Sequence, residues 1–253
     1  MSRTLSLVHG GLTAARELTR RGRRPEALTR LRQLLATADV PPATAAEAHR
    51  LAAELLIDGD RFGAARRHLR AARGLEPRCA ATFYLAGLSS ERDPDGNDRR
   101  AAVRFRRATE LEPTNATYRA AFGRALVRAG IVNAGARELE AAAELAAGDL
   151  TVLRLVVGAL LEGGRTTAAR RVVQKARFLR PACASVAGLW NRVRFEAARQ
   201  SQRSHRGVQD ARAAREGRPL LPFLRVVGTS EAWRGDVVSA PRPHFARLRA
   251  TRG

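Results

Sequence analysis

Five times along the chain, a small residue, a large apolar residue and a second small or apolar residue fall at i, i+4 and i+7. The triplets are Ala27/Leu31/Leu34, Ala65/Leu69/Ala72, Ala101/Phe105/Ala108, Gly135/Leu139/Ala142 and Ala169/Val173/Ala176. Their first members stand 38, 36, 34 and 34 residues apart. Residues at these offsets share one face of an α-helix, so each triplet reads as a stripe turned toward a neighbouring helix. Small side chains let two backbones approach closely, and the large residue between them fills the remaining gap. Four copies carry a leucine further along the same segment, Leu75, Leu111, Leu145 and Leu179, and three of these run on to Pro77, Pro113 and Pro181. Proline ends the helix behind it and can open the one ahead, which marks these positions as unit boundaries. Turn-forming residues fall between them, at Gly22, Gly59-Asp60, Asp93 to Asp98, Gly130 and Gly163-Gly164. The chain is thus punctuated about every 17 residues, half the period, as a row of helix pairs requires.

A period near 34 residues with small, large and proline positions at these offsets resembles the tetratricopeptide (TPR) repeat. The resemblance implies an all-α fold, an α-solenoid of antiparallel helix pairs over residues 8–181. Its repeats would span roughly 8–41, 42–77, 78–113, 114–148 and 149–181. In the first helix of each pair, Gly87 and Gly123 fall near the family's small position, with Phe83-Tyr84 and Tyr118 just upstream. Ala15 and Ala53 replace that glycine, and Gly158 is one residue out of register. The family's usual tryptophan is absent from every repeat. Repeat one lacks both the terminal leucine and a proline at the right offset.

After Pro181 the period stops, but helical patterning continues through Val186, Leu189, Trp190, Val193 and Ala197. The last repeat of a solenoid exposes an apolar face, so residues 182–202 are expected to form a capping helix. Trp190 belongs to the core of that cap on this reading, rather than to a ligand platform. Residues 203–253 are read as a basic extension, in which the helix can continue in solvent from Arg203 to Gly217 and the remaining tail is mostly irregular. Its apolar run from Leu220 to Val227 would dock on the solenoid or act as a short linear motif.

Composition narrows the function classes. Only 5% of the 253 residues are aromatic, which suits closely spaced alanine-rich helices, and strand alternation is nearly absent. No apolar run reaches the roughly 18 residues of a membrane span, and Met1 to Leu12 does not read as a secretory signal. A cytoplasmic location follows as the expectation. Cys79 and Cys183 each stand two residues after a boundary proline, three repeats apart and too far to bridge, so they are expected as free thiols in a reducing compartment. Basic residues number 46 against 24 acidic ones, a net charge of +22, and Lys175 is the sole lysine. GC-rich codon usage accounts for arginine over lysine but not for basic over acidic. Such a charge attracts acidic partners at long range.

No catalytic constellation accompanies this. His9, His49, His68, His205 and His244 are scattered, with no HExxH and no Cys/His pair at zinc spacing. No glycine-rich phosphate loop and no GxSxG elbow occurs. Asp93-Pro94-Asp95-Gly96-Asn97-Asp98 has calcium-loop composition, but Asp98 stands where the loop glycine belongs and Arg104 where the bidentate glutamate belongs. The segment reads as a widened helix–helix turn. No enzyme activity, metal or cofactor is expected.

What remains is a binding surface. The resemblance implies that the first helices line a concave groove whose ligand-facing residues would be Arg16, Arg20, Arg50, Glu54, Tyr84, Leu88, Arg92, Arg124, Arg128 and Arg154. Arginine pairs with carboxylates in bidentate fashion, so such a groove suits an acidic protein or peptide. The competing reading of each arginine is ordinary solvated surface. Arg203, Arg206, Arg212, Arg215, Arg242, Arg247 and Arg249 form a second basic set in the extension, with Phe223, Trp233 and Phe245 interspersed. Arginine with aromatics suits RNA through phosphate contacts and stacking. The chain is therefore expected to be a non-enzymatic adaptor or scaffold for an acidic partner, with nucleic-acid or ribonucleoprotein binding through the extension as the alternative.

Overall fold

The computed structural model describes the backbone of residues 2–215 and the side-chain environments of residues 10–209 and 211. The tail expected to be irregular, 218–253, with its run from Leu220 to Val227 and with Arg242, Arg247 and Arg249, lies outside the described residues. The chain divides into two compact units, Met1–Ser201 and Gln202–Gly253. The described residues form eleven helices: α1 (Ser2–Arg20), α2 (Arg24–Ala36), α3 (Pro42–Ile57), α4 (Phe62–Leu75), α5 (Ala80–Arg92), α6 (Asp98–Leu111), α7 (Ala116–Arg128), α8 (Val132–Leu145), α9 (Leu150–Glu162), α10 (Thr166–Leu179) and α11 (Ala184–Arg215). No strand occurs among the described residues. Within the first unit, odd and even helices pair as α-hairpins that stack into an α-solenoid, and α1 packs on α3, α3 on α5 and α7 on α9.

Every triplet is interior. Ala27, Ala65, Ala101, Phe105, Ala108, Leu139 and Ala169 are fully buried, and Gly135 lies with them on α8. The leucines further along behave differently: Leu75, Leu145 and Leu179 are 40%, 46% and 52% exposed. Their place is the rim of a seam rather than its centre.

The small residue on each odd helix faces the large residue of its own hairpin. A Cβ on Gly87 would stand 2.5–2.8 Å from the Phe105 ring, and one on Gly123 would meet Leu139 Cγ at 2.7 Å and the Gly135 carbonyl oxygen at 2.9 Å. Ala15 and Ala53 fill the same role with no exposed surface. In the fifth hairpin the place belongs to Val157, fully buried with Val173, while a Cβ on Gly158 would meet nothing within 4 Å.

Four of the hairpin turns share one geometry. A left-handed residue follows the odd helix, and the next N–H reaches back to a carbonyl near the helix end: Arg23 to Leu18, Arg61 to Leu56, Ile131 to Leu126 and Arg165 to Leu160. The left-handed residues are Gly22 (φ 73°), Asp60 (φ 56°), Gly130 (φ 84°) and Gly164 (φ 68°). In the second hairpin that residue is thus Asp60, not the adjacent glycine. The third hairpin departs, because its turn runs from Asp93 to Asn97. There Asn97 Oδ1 accepts from the Arg99 and Arg100 N–H groups and caps α6, and the Asp95 N–H donates to Asp93. The polar residues that gave this segment a calcium-loop look serve as cap and turn.

Val186, Leu189 and Val193 of α11 join the core built by α9 and α10. Trp190 is half-buried against the same core, with the Arg177 and Arg170 guanidiniums 4.8 and 5.7 Å from its ring centroid. The start of α11 therefore covers the apolar face of the fifth hairpin, as a capping helix does. Beyond it the apolar residues turn outward, with Phe195 62% and Val208 68% exposed. Cys79 and Cys183 are free and half-buried.

Candidate functional site

The odd helices form one face of the first unit, and most of the expected groove arginines on it make polar contacts, like rungs of a ladder, with a neighbouring hairpin or helix. Arg16 on α1 bonds Glu47 on α3. Arg92 at the end of α5 donates to Asp58 after α3 at 2.8 Å. Arg124 on α7 donates to Glu91 on α5 at 2.5 Å, and Arg128 lies 3.6 Å from both Glu91 and Glu162 of α9. Arg50 donates to Glu76 at 2.5 Å, and Arg154 donates to the Ser185 hydroxyl on α11 at 3.1 Å. Arg20 stays within its own helix, 3.7 Å from Glu17 and 78% exposed. Of the seven expected groove arginines, Arg154 alone meets a neutral partner.

The rungs differ in burial. Glu91 is only 3% exposed, so its bond with Arg124 is partly shielded from water, whereas Arg92 and Asp58 are 48% and 40% exposed. Surface pairs of the second kind are weak and exchangeable, while a carboxylate buried like Glu91 depends on its partner. Glu54 stands near Asp58 and Arg92; burial, and then the Asp58 charge, push its carboxyl above the usual range, and Arg92 opposes them.

Tyr84 and Tyr118 occupy the middle of this face. Their ring centroids are 4.8 Å apart with the planes tilted by 30°, and Tyr84 also lies 5.7 Å from Phe105. Burial raises both phenol pKa values, that of Tyr118 to about 12 with help from Glu112, so both remain neutral hydrogen-bonding groups. Leu88 is half-buried against the core instead of standing open to a ligand. Two members of the face escaped the sequence reading, Tyr118 as a contact residue and Glu91 as the carboxylate anchor. Each has a signal in the period: Tyr118 follows Tyr84, and Arg124 follows Glu91, by about one repeat.

Arg203 and Arg206 are exposed on α11. The backbone of Arg212 and Arg215 continues the same helix, and their side chains lie outside the described residues. His49 and His68, which looked scattered, meet across the second hairpin with their Nδ1 atoms 2.9 Å apart. Burial lowers both pKa values, and for His68 so do the neighbouring His49, Arg67 and Arg32. Among the described residues no three His, Cys, Asp or Glu side chains gather as metal ligands, and no helix is long and apolar enough to cross a membrane.

No protein-family model matches the sequence, and no curated protein matches it. Solved structures do. A Pseudomonas aeruginosa pilF structure superposes with a TM-score of 0.60 at 16% identity, covering 83% of this chain and 92% of that one. A thermophilic TPR protein of Thermus thermophilus gives 0.58 at 16% identity, covering 74% and 99%. A chain of the APC/C hetero-tetramer Cut9–Hcn1 gives 0.55 at 15% identity, covering 72% of this chain and 35% of that one. Identities this low speak to architecture alone. With the repeat triplets buried in five successive hairpins, they establish that this chain has the fold of a tetratricopeptide-repeat protein.

Proposed function

We propose that the chain is a non-enzymatic cytoplasmic adaptor that holds an acidic protein segment along its odd-helix face. A stack of helical hairpins presents an extended surface without assembling a reaction site, and Cut9 is found in a hetero-tetramer with Hcn1. The observation that carries the reading is the Tyr84–Tyr118 pair at mid-face, flanked by exchangeable ion pairs. A tyrosine pair offers apolar area with a fixed polar tip. Around it, Arg92 and Arg128 are bound only to half-exposed or distant carboxylates, and Arg154 and Arg20 have spare donors. An acidic segment can exchange for Asp58 or Glu162 at little cost. The net charge of +22 brings it in.

The competing reading, RNA binding through the basic stretch that begins at Arg203, draws on the exposed Arg203 and Arg206 of α11. One experiment separates the two. Binding of fluorescent polyglutamate and of single-stranded RNA is measured by anisotropy for the full chain, for Tyr84→Ala with Arg92→Gln, and for the chain lacking residues 203–253. The adaptor reading expects polyglutamate binding to fall about tenfold in the face variant, while truncation weakens it only by lowering the overall charge. Loss on truncation alone, with RNA bound more tightly than polyglutamate, transfers the function to the extension.

A further inference from the structure

The even helices hold a second arginine cluster whose surroundings are the reverse of the ladder. Between α4 and α6, over the edge of α5, a cavity of about 250 Å³ is lined by Arg66, Arg70, Arg73 and Arg104 with Thr82 and Phe83. No carboxylate lines it. Asp93, on the far side of Arg66, is occupied as the partner of that arginine. Arg70 donates to the Arg66 carbonyl oxygen at 3.3 Å, and Arg73 and the nearby Arg100 have no carboxylate partner among the described residues.

Arg104 is held in place from behind. Its Nη1 donates to the Ala86 carbonyl oxygen at 3.1 Å and to the Ser90 hydroxyl, which holds the half-buried guanidinium between this cavity and the neighbouring pocket around Ser90 and Asp93. Burial disfavours its charge, and so do Arg66, Arg100 and Arg73 around it. Thr82, 2% exposed, belongs to the cavity wall, with its hydroxyl sealed off inside the protein. Four guanidiniums around one cavity, of which only Arg66 has a carboxylate partner among the described residues, are a set of donors short of acceptors.

We propose that this cavity binds a phosphate monoester group. The ligand must supply several acceptors at one point and more than one negative charge. A carboxylate brings two oxygens and a single charge, whereas a monoester brings three terminal oxygens and about −1.5 to −2 at neutral pH. Arg104 and Arg73 would grip it as charged forks from opposite helices. The cavity is smaller than most drug-sized pockets, so it admits a phosphorylated side chain or a small phosphate ester and not a folded surface. The site is separate from the odd-helix face and does not depend on the adaptor reading.

Calorimetric titration of the full chain at constant ionic strength tests this, with inorganic phosphate, O-phosphoserine, a phosphoserine peptide and its unmodified counterpart as probes. Saturable binding of phosphate and phosphoserine is expected, with the unmodified peptide silent. Arg73→Gln and Arg104→Gln should each weaken binding about tenfold or more, while Arg106→Gln, whose guanidinium pairs with Glu110 elsewhere on α6, should not. Arg73 is exposed, so its variant keeps the test valid if the Arg104 variant folds poorly. A phosphopeptide that binds more tightly than inorganic phosphate identifies a modified protein as the source, and equal affinity identifies a small ester. Binding that acetate matches at equal ionic strength, that Arg73→Gln leaves unchanged, or that an RNA oligomer displaces better than phosphoserine does would overturn the proposal.

Discussion

The odd-helix face and the α4–α6 cavity are built from the same residue type and carry opposite electrostatics. On the odd face, arginines meet carboxylates from the neighbouring hairpin, Arg16 with Glu47, Arg92 with Asp58 and Arg124 with Glu91. In the cavity, Arg66, Arg73 and Arg104 face one another across α4 and α6, and only Arg66 has an acid. The difference lies in what stands one repeat away. A stacked array brings equivalent positions together, so an arginine is neutralised when the next repeat offers an acid and is left charged when it offers another arginine. Positive composition alone says little about which surface is free to bind an anion.

The largest consequence concerns Arg124 and Arg73. Arg124→Gln leaves Glu91, 3% exposed, with only the 3.6 Å contact to Arg128, and should lower the unfolding free energy by about 2–3 kcal/mol. Arg73→Gln removes a charge that has no acid beside it and should change stability by no more than about 0.5 kcal/mol. Urea unfolding midpoints of the two variants check this. Equal losses would mean that the two arginines do the same job.

A smaller effect follows from the His49–His68 pair, which joins α3 to α4 within the second hairpin. Both folded-state pKa values lie below the ordinary 6.5, through burial and, for His68, also through His49, Arg67 and Arg32. The unfolded chain therefore takes up protons first as pH falls. The contribution of the pair is fully present above pH 6.5 and is lost as pH drops from there through the lowered folded values. Wild type should lose stability across that window, by less than Arg124→Gln costs, and His68→Asn should flatten the loss. Unfolding curves of both proteins at several pH values read the difference directly.

Within the odd face, Arg92 and Asp58 sharpen the contrast between rungs. Both are nearly half-exposed, so a double-mutant cycle should give a coupling of about 0.2–1 kcal/mol, well below the Arg124 loss. A coupling as large as that loss would make the exposed rungs structural and would leave the face no exchangeable contacts for a partner.

Much of the architecture was legible because burial and period coincide. The five triplets are interior, Gly87 and Gly123 sit against Phe105 and Leu139, and the off-register Gly158 points into open space. The left-handed turn residue Asp60 was bracketed but not singled out, since the neighbouring Gly59 satisfies the same sequence rule. The site was less legible. Assigning groove arginines by face said nothing about their partners, because pairing depends on residues about a repeat away in sequence and on the offset between stacked helices. The same blindness hid the histidine pair: positions 49 and 68 share no motif, and only the hairpin brings their rings together. The cavity between α4 and α6 lies between the second hairpin and the third, whose turn is widened, and no single repeat contains the residues that line it.

The smallest expected effect is the most general test of the comparison, because it asks whether the cavity arginines repel one another when nothing is bound. Raising salt from about 0.1 to 1 M shortens the screening length from roughly 10 to 3 Å. Neutralised rungs gain nothing from this, and the pairs on the odd face weaken slightly. Unneutralised guanidiniums gain, since their repulsion is what the salt screens. Wild type should therefore be stabilised by salt more than an Arg73→Gln, Arg100→Gln double variant, with a difference of a few tenths of a kcal/mol, the size of a like-charge pair on exposed helices. Thermal unfolding in sodium chloride measures it, with phosphate and sulfate kept out of the buffer so that screening is not confused with binding. If the two proteins respond to salt identically, the cluster carries no electrostatic strain, and its charge is no more available to an anion than that of the paired arginines on the opposite helices.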